Sequence, residues 1–281
     1  IRLLEWSPEN GLTINGKREI LRGACVHHDN GVLGACTYPE AEERRVRILK
    51  ENGYNAIRSS HYPCSKDLLD ACDRQGMLVM DEYVDVWYIH KTKYDYVDYL
   101  QEWWQQDLKD MVEKDYNHPS VIMYSTGNEV AETAQKKGIE LTGKMTDHLH
   151  KLDPYRPVTC GINIFFNFLS SMGMGVYSDD KAEKSAQSAK QEAEKKEKKK
   201  PVGSEFYNTL ACLVGDYFMK IGATLPPCDW KTKDAFVNMD IAGYNYGLFR
   251  YRPEEISTAS DPRYRDFLQR RIQLLGDCKK E

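Results

Sequence analysis

Short apolar runs alternate along this chain with longer stretches in which apolar residues recur every three or four positions. Runs of the first kind suit buried strands, and stretches of the second kind suit amphipathic helices. The first run, Ile20 to Cys25, ends at Val26-His27-His28-Asp29. Ala41 to Asn52 sets Val46, Ile48 and Leu49 among charges and stops at Gly53, as a helix with a glycine past its end does. Ala56-Ile57-Arg58 reads as a second strand that continues into Ser59-Ser60-His61-Tyr62-Pro63. Ser65 is placed to cap a helix carrying Leu68, Leu69 and Cys72, and Gly76 closes it. Met77 to Met80 is a third strand ending at Asp81-Glu82. Glu102 to Lys114 puts Trp104, Leu108 and Met111 on one helical face. Val121 to Glu129 is a fourth strand, Ala134 to Lys151 a helix, and Pro157 to Gly161 a fifth strand. Asp240 to Gly247 resumes the pattern as a sixth.

Strand then helix, repeated, predicts an α/β fold with a parallel sheet, and closure into a (β/α)8 TIM barrel fits best. The strand ends carry the polar residues His27, Arg58, His61, Asp81, Glu82, Asn128 and Glu129. In a parallel barrel the C-terminal ends of the strands are where chemistry is expected. Gly127-Asn128-Glu129 stands out, because an apolar run climbs to a glycine and then delivers an amide and a carboxylate together. The plainer alternative is a turn whose Asn tolerates unusual φ, with Glu129 capping the next helix.

Length and charge narrow the picture further. The chain has 281 residues, 41% hydrophobic, enough for one large domain. It opens on Ile1, which suggests a piece of something longer. Residues 1–12 read as the last edge of a preceding β-domain and 13–251 as the barrel domain. Residues 179–200, rich in Lys, Glu, Ala and Gln, read as a solvated helix or a disordered insertion. Phe206, Tyr207, Leu210, Leu213 and Phe218 fit a compact elaboration. A net charge of −4 argues against a nucleic-acid partner, and Glu192, Glu194 and Glu197 interrupt the basic run. No apolar run reaches membrane-spanning length and no signal peptide opens the chain, so no membrane partner is expected. Eight cysteines without CxxC or zinc spacing fit reduced thiols in the cytoplasm.

Five motifs, in order, carry a resemblance. They are Asn15-Gly16-Lys17 leading to Leu21-Arg22-Gly23; Asn55-Ala56-Ile57-Arg58 with Ser60-His61-Tyr62-Pro63; Val79-Met80-Asp81-Glu82; Asn117-His118-Pro119-Ser120; and Gly127-Asn128-Glu129. With them the chain resembles glycoside hydrolase family 2, the family of β-galactosidases and β-glucuronidases, over about residues 10 to 250. The resemblance implies a retaining exo-β-glycosidase, β-galactosidase-like, acting on a terminal sugar. It makes Glu129 the acid/base and gives Asn128 a bond to the sugar 2-hydroxyl. His27, Arg58 and His61 would line the sugar subsite, and Tyr246 would contact the nucleophile. The histidines could instead hold loops through backbone hydrogen bonds. Trp87 could stack on a sugar or fill the core. Magnesium-dependent members carry Glu and His where this chain has Val86 and Tyr88, so no metal and no other cofactor is expected. A homo-oligomer stays open for the full-length protein.

Retaining chemistry needs a second carboxyl about 5 Å from the first. Glu205, in Gly203-Ser204-Glu205, resembles the family's nucleophile motif, but only one strand lies between it and Glu129, and the nucleophile belongs on strand seven. After Tyr251 the family pattern stops. Back-translated and read one nucleotide later, Asp261 to Phe267 permits I-L-G-T-E-T, the family's next strand, with its Glu codon straddling Arg265 and Asp266. Residues 252–281 are therefore expected to be a frameshifted reading that costs strands seven and eight. An ordinary divergent tail is the alternative. On the frameshift reading the chain is a catalytically inactive fragment with at most weak sugar binding. Sequencing the coding DNA tests this: codons from Arg252 onward should spell the family segment in the shifted frame, and incompatible codons remove the idea.

Overall fold

The computed structural model describes residues 2–92, 94–171 and 226–245. The stretch 179–200, most of 201–239, Glu205, Tyr246 and the tail from 252 lie outside the described residues. The chain divides into two compact units. One draws on the residues up to Asp81 together with Lys114–Met123, the other on Glu82–Glu113 together with the residues from Tyr124.

Three short strands open the chain: β1 (Leu4–Ser7), β2 (Gly11–Ile14) and β3 (Lys17–Arg18). They pair antiparallel in sequence order, with Leu4 opposite Ile14 and Thr13 opposite Arg18. Asn15 and Gly16, both at positive φ, make the second turn. The domain boundary expected after residue 12 thus falls inside β2.

The parallel sheet follows: β4 (Gly23–His27), β5 (Ala56–Ser60), β6 (Leu78–Glu82), β7 (Val121–Asn128), β8 (Val158–Ile162) and β9 (Gly243–Tyr244). Each strand lies beside its predecessor, in the order β4-β5-β6-β7-β8-β9. That sequential order is the one a TIM barrel uses, and eight such strands would close it. The strands β6 and β7 each pass from one unit to the other. Every residue of β7 is buried, as in a parallel strand covered on both faces. Among the described residues β4 pairs with β5 alone, and its side chains are largely exposed.

The helices between strands have local causes. In α1 (Pro39–Glu51) the proline opens the first turn, Glu40 and Glu42 sit at the positive end of the helix, and Lys50 sits at its negative end. In α2 (Lys66–Gln75) Ser65 Oγ accepts from Leu68 N at 3.2 Å, and Gly76 takes the left-handed conformation that ends the helix. Leu68, Leu69, Cys72, Val46 and Val79 are buried in this first unit. In the second unit α3 (Val97–Asp115, of which Lys114 and Asp115 belong to the first unit) and α4 (Lys136–Leu152) bury Leu100, Leu108, Met145 and Leu149. There α5 (Ile164–Ser171) packs against α6 (Pro226–Phe236).

Two boundaries differ from the sequence expectation with chemical effect. The first barrel strand begins at Gly23 and ends on His27, later than expected. The third extends through Glu82, so Asp81 and Glu82 are fully buried parts of β6 and not rim residues. Asp81 accepts from Cys64 N and from Lys114 Nζ, each at 2.9 Å. Lys114 Nζ also bonds Asp115, so one ammonium serves two buried carboxyls. Burial first, then the Asp81 charge, pushes the Asp115 carboxyl up to about 9, against the pull of Lys114. Burial works against the Lys114 charge too, but Asp81 leads the acidic partners that hold it above the ordinary lysine range.

The folded chain therefore keeps the Asp115 proton to higher pH than the unfolded chain does. This contribution to stability is whole below the ordinary carboxyl value of 3.8 and is lost as pH rises through about 9. Urea midpoints should accordingly fall between neutral pH and pH about 9. In Asp115→Asn that part of the slope should vanish.

Candidate active site

Across from β8, the strand β7 carries one residue too many. Ser125 pairs with Thr159 and Asn128 with Gly161, so Thr126 and Gly127 stand opposite Cys160 alone. Such a bulge twists a strand and re-aims the side chain that follows it. Asn128 follows the bulge directly, and Glu129 comes next, at φ +48°, a region non-glycine residues rarely occupy. Its N–H donates to Gly161 O at 2.7 Å, which holds the main chain there. A strained backbone at a strand end, held by its surroundings, is the kind of outlier found at working sites.

The turned carboxyl meets amides. Glu129 Oε1 accepts from Asn245 Nδ2 at 3.2 Å and from Asn163 Nδ2 at 3.5 Å. The same Asn245 Nδ2 donates to Asn128 Oδ1 at 2.7 Å. At its other end Asn128 Nδ2 donates to Asp85 Oδ1, also at 2.7 Å. Lys91 Nζ closes the group by donating to Asp85 Oδ1 at 2.9 Å and to the Asn128 main-chain carbonyl at 2.7 Å. Asn128 is 6% exposed, so its amide is oriented by protein partners in a site largely shielded from water.

The loop that brings Asp85 and Lys91 is itself anchored from below. Glu132 lies in a short 3-10 turn, Ala131–Ala134, and is buried. Its Oε1 accepts from Tyr88 N at 3.0 Å and Ile89 N at 2.9 Å. Burial raises its pKa, while those N–H groups and the Lys91 charge oppose the rise. Trp87, fully buried, donates its Nε1–H to Thr126 O at 3.1 Å. Of the two roles left open for Trp87, the core role is the one its burial favours. The glycine of Gly127-Asn128-Glu129 has a steric cause as well. A Cβ on Gly127 would lie 3.0 Å from Trp87 Nε1 and 3.2 Å from Val130 Cγ2.

The other sequence candidates lie in the first unit. The His27 and His61 rings meet edge to face with centroids 5.1 Å apart. His27 ends β4 opposite Ser60, and its main-chain carbonyl accepts from Arg45 Nη1 at 3.2 Å. Arg58 is the central residue of β5, half-buried and paired across the ladder with Cys25 on one side and Met80 on the other. Asn128 and Glu129 are brought together by Asn245, whereas Tyr246 and Glu205 lie outside the described residues.

Where the resemblance would place magnesium ligands, Val86 offers no ligand atom, and both it and Tyr88 are buried. These residues do not fit a magnesium ion. Among the described residues, Asp70, Asp73 and His118 bring their ligand atoms within 4.8 Å of one another. There Asp73 Oδ2 lies 2.7 Å from His118 Nδ1 and Oδ1 accepts from Ser120 N at 2.8 Å, so this carboxylate fastens the turn that leads into β7.

Asp85, Lys91, Asn163 and Asn245 were missed by sequence reasoning. Asn163 and Asn245 each follow a barrel strand by one residue, a signal of the same kind that marked Asn128 and Glu129. The loop residues Asp85 and Lys91 carry no such mark. Gly127→Ala should destabilise the chain by about 1–3 kcal/mol, since Trp87 or Val130 must give way. Denaturant unfolding measures the loss.

With this geometry in hand, likeness to known proteins is informative. The family model "Glycosyl hydrolases family 2, TIM barrel domain" matches residues 8–217. The chain is 41% identical over 194 residues to the β-galactosidase BoGH2A of Bacteroides ovatus, a match covering 58% of this chain and 23% of that protein. It is 30% identical over 171 residues to a β-glucuronidase of Bacteroides fragilis, covering 58% of this chain and 24% of the relative. Among solved structures, a glycosyl hydrolase family 2 member from Bacteroides cellulosilyticus matches with a TM-score of 0.64 and 34% identity, over 92% of this chain and 25% of that one. A β-glycosidase from Bacteroides vulgatus matches with a TM-score of 0.54 and 41% identity, over 57% of this chain and 20% of that one. This chain thus spans about a quarter of the length of such relatives. A match this long to the family model, on a parallel sheet in barrel order, shows that the chain belongs to glycosyl hydrolase family 2.

Proposed function

We propose that this chain carries the acid/base half of a retaining exo-β-glycosidase site, β-galactosidase-like, that acts on terminal β-linked sugars. The observation that carries the reading is the Glu129 carboxyl, set just beyond the bulge on a left-handed backbone and held through one oxygen. The described hydrogen bonds to it fall on Oε1, each from an amide N–H. A proton on Oε1 would oppose those donors, so Oε2 is the oxygen that carries the transferable proton. From there it passes to the departing glycosidic oxygen, and the resulting carboxylate later takes a proton from water. Asn128, beside it, bonds the sugar 2-hydroxyl. His27, Arg58 and His61 line the sugar subsite on this reading.

On the frameshifted reading of residues 252–281 the nucleophile strand is lost, and a second reading then stands beside the first: a fragment that binds sugar weakly and does not cleave it. The six described cysteines Cys25, Cys36, Cys64, Cys72, Cys160 and Cys228 are all free thiols, which suits a cytoplasmic setting. No described helix is long and apolar enough to cross a membrane.

Nitrophenyl β-galactoside and β-glucuronide hydrolysis separates the readings. On the first, the galactoside is cleaved faster, and Glu129→Gln lowers kcat/KM by roughly 10²–10⁴-fold. The loss shrinks for a dinitrophenyl leaving group, which departs without a proton. No cleavage of either substrate by the chain selects the fragment.

A further inference from the structure

A carboxamide can sit either way round in the same space, and only its partners decide which end is the oxygen. Asn128 has a carboxylate of fixed sense on one side and, on the other, an amide whose own sense is set by its bond to Glu129 Oε1. Asp85 Oδ1, 2.7 Å from Nδ2, only accepts when ionised. Asn245 Nδ2, 2.7 Å from Oδ1, only donates. Turned over, Asn128 would set oxygen against the Asp85 carboxylate and N–H against N–H at Asn245. The Asp85 carboxylate is braced in turn, since Lys91 Nζ bonds both Asp85 Oδ1 and the Asn128 main-chain carbonyl. Side-chain exposures of 15% for Lys91 and 30% for Asp85 keep this pair partly out of water, where a charged hydrogen bond counts for more than on an open surface.

We propose that Asp85 and Lys91 are positioning residues: they lock the Asn128 carboxamide in one sense and, through Asn245, hold the Glu129 carboxyl. Asn245 Nδ2 is shared between Asn128 Oδ1 and Glu129 Oε1, so an Asn128 that turns over withdraws one of its two acceptors and loosens the other contact. The lock itself stands on geometry alone. Its consequence for catalysis rests on the proposed role of Asn128 as the ligand of the sugar 2-hydroxyl.

Two measurements on the full chain test the proposal. The first follows the Asn128 side-chain amide in nitrogen-15 spectra, assigned by its disappearance in Asn128→Asp. Asp85→Ala should move this signal pair, while Asp85→Asn, which keeps an acceptor oxygen, should leave it near its original place. Lys91→Met should move it as well and serves if Asp85→Ala does not fold. An Asn128 signal unmoved in a folded Asp85→Ala or Lys91→Met chain overturns the lock. The second compares kcat/KM on a nitrophenyl β-galactoside and on its 2-deoxy counterpart. Asp85→Ala should lower the first roughly tenfold and the second less than about twofold. Equal losses on both substrates would mean a merely structural role and overturn the catalytic consequence. If the unaltered chain cleaves neither substrate, the proposed function fails for this chain, and the amide signals still decide whether the lock exists.

Discussion

One carboxyl in this chain has to stay put while its backbone sits where side chains crowd the main chain. Glu129, at φ +48°, is kept there by the extra residue in β7, by the bond from its N–H to Gly161 O and by the amides of Asn163 and Asn245. Left-handed backbone at a residue other than glycine costs about 1–3 kcal/mol, and it persists only where the surroundings over-determine it. Much of the second unit serves as that surrounding. The loop after β6 is tied by Glu132 and Trp87, and the ends of β8 and β9 supply the two amides. The strain and the support go together: the side chain on this left-handed backbone meets neighbours that can hold it.

The buried charges obey a similar logic of mutual dependence. Asp81, Asp115 and Lys114 form a group in which no member has a neutral setting of its own. An unpaired carboxylate at such a site would cost several kcal/mol, so the group holds together by sharing one ammonium and one proton. Asp73 likewise joins His118 and Ser120 ahead of β7. Asp73 thereby fastens the turn from which β7 starts.

Much of this could be read from the residues. The α2 helix was legible to its caps, because Ser65 and Gly76 act locally. The order of strands was legible because each is a short apolar run set off by turn residues. The position of Glu129 was legible from the apolar climb through Val121 to Tyr124. Its left-handed backbone was not, since the bulge depends on pairing with β8, a contact between residues some thirty positions apart. Asp81 and Glu82 misled for a like reason. Acidic residues after an apolar run suggest a rim, whereas here they meet partners distant in sequence inside the protein, among them Lys114 for Asp81 and Ser125 for Glu82. Asp85 and Lys91 follow a strand within an irregular loop, where no period marks them. What they do is set by Asn128, more than thirty residues on.

The first strand of the parallel sheet has a consequence for how the chain behaves in company. Among the described residues β4 exchanges ladder bonds only with β5, and most of its side chains face solvent. The flank of β4 away from β5 is where an extended segment of matching length would add its amides and carbonyls. Whatever covers that flank therefore decides how the protein behaves at high concentration.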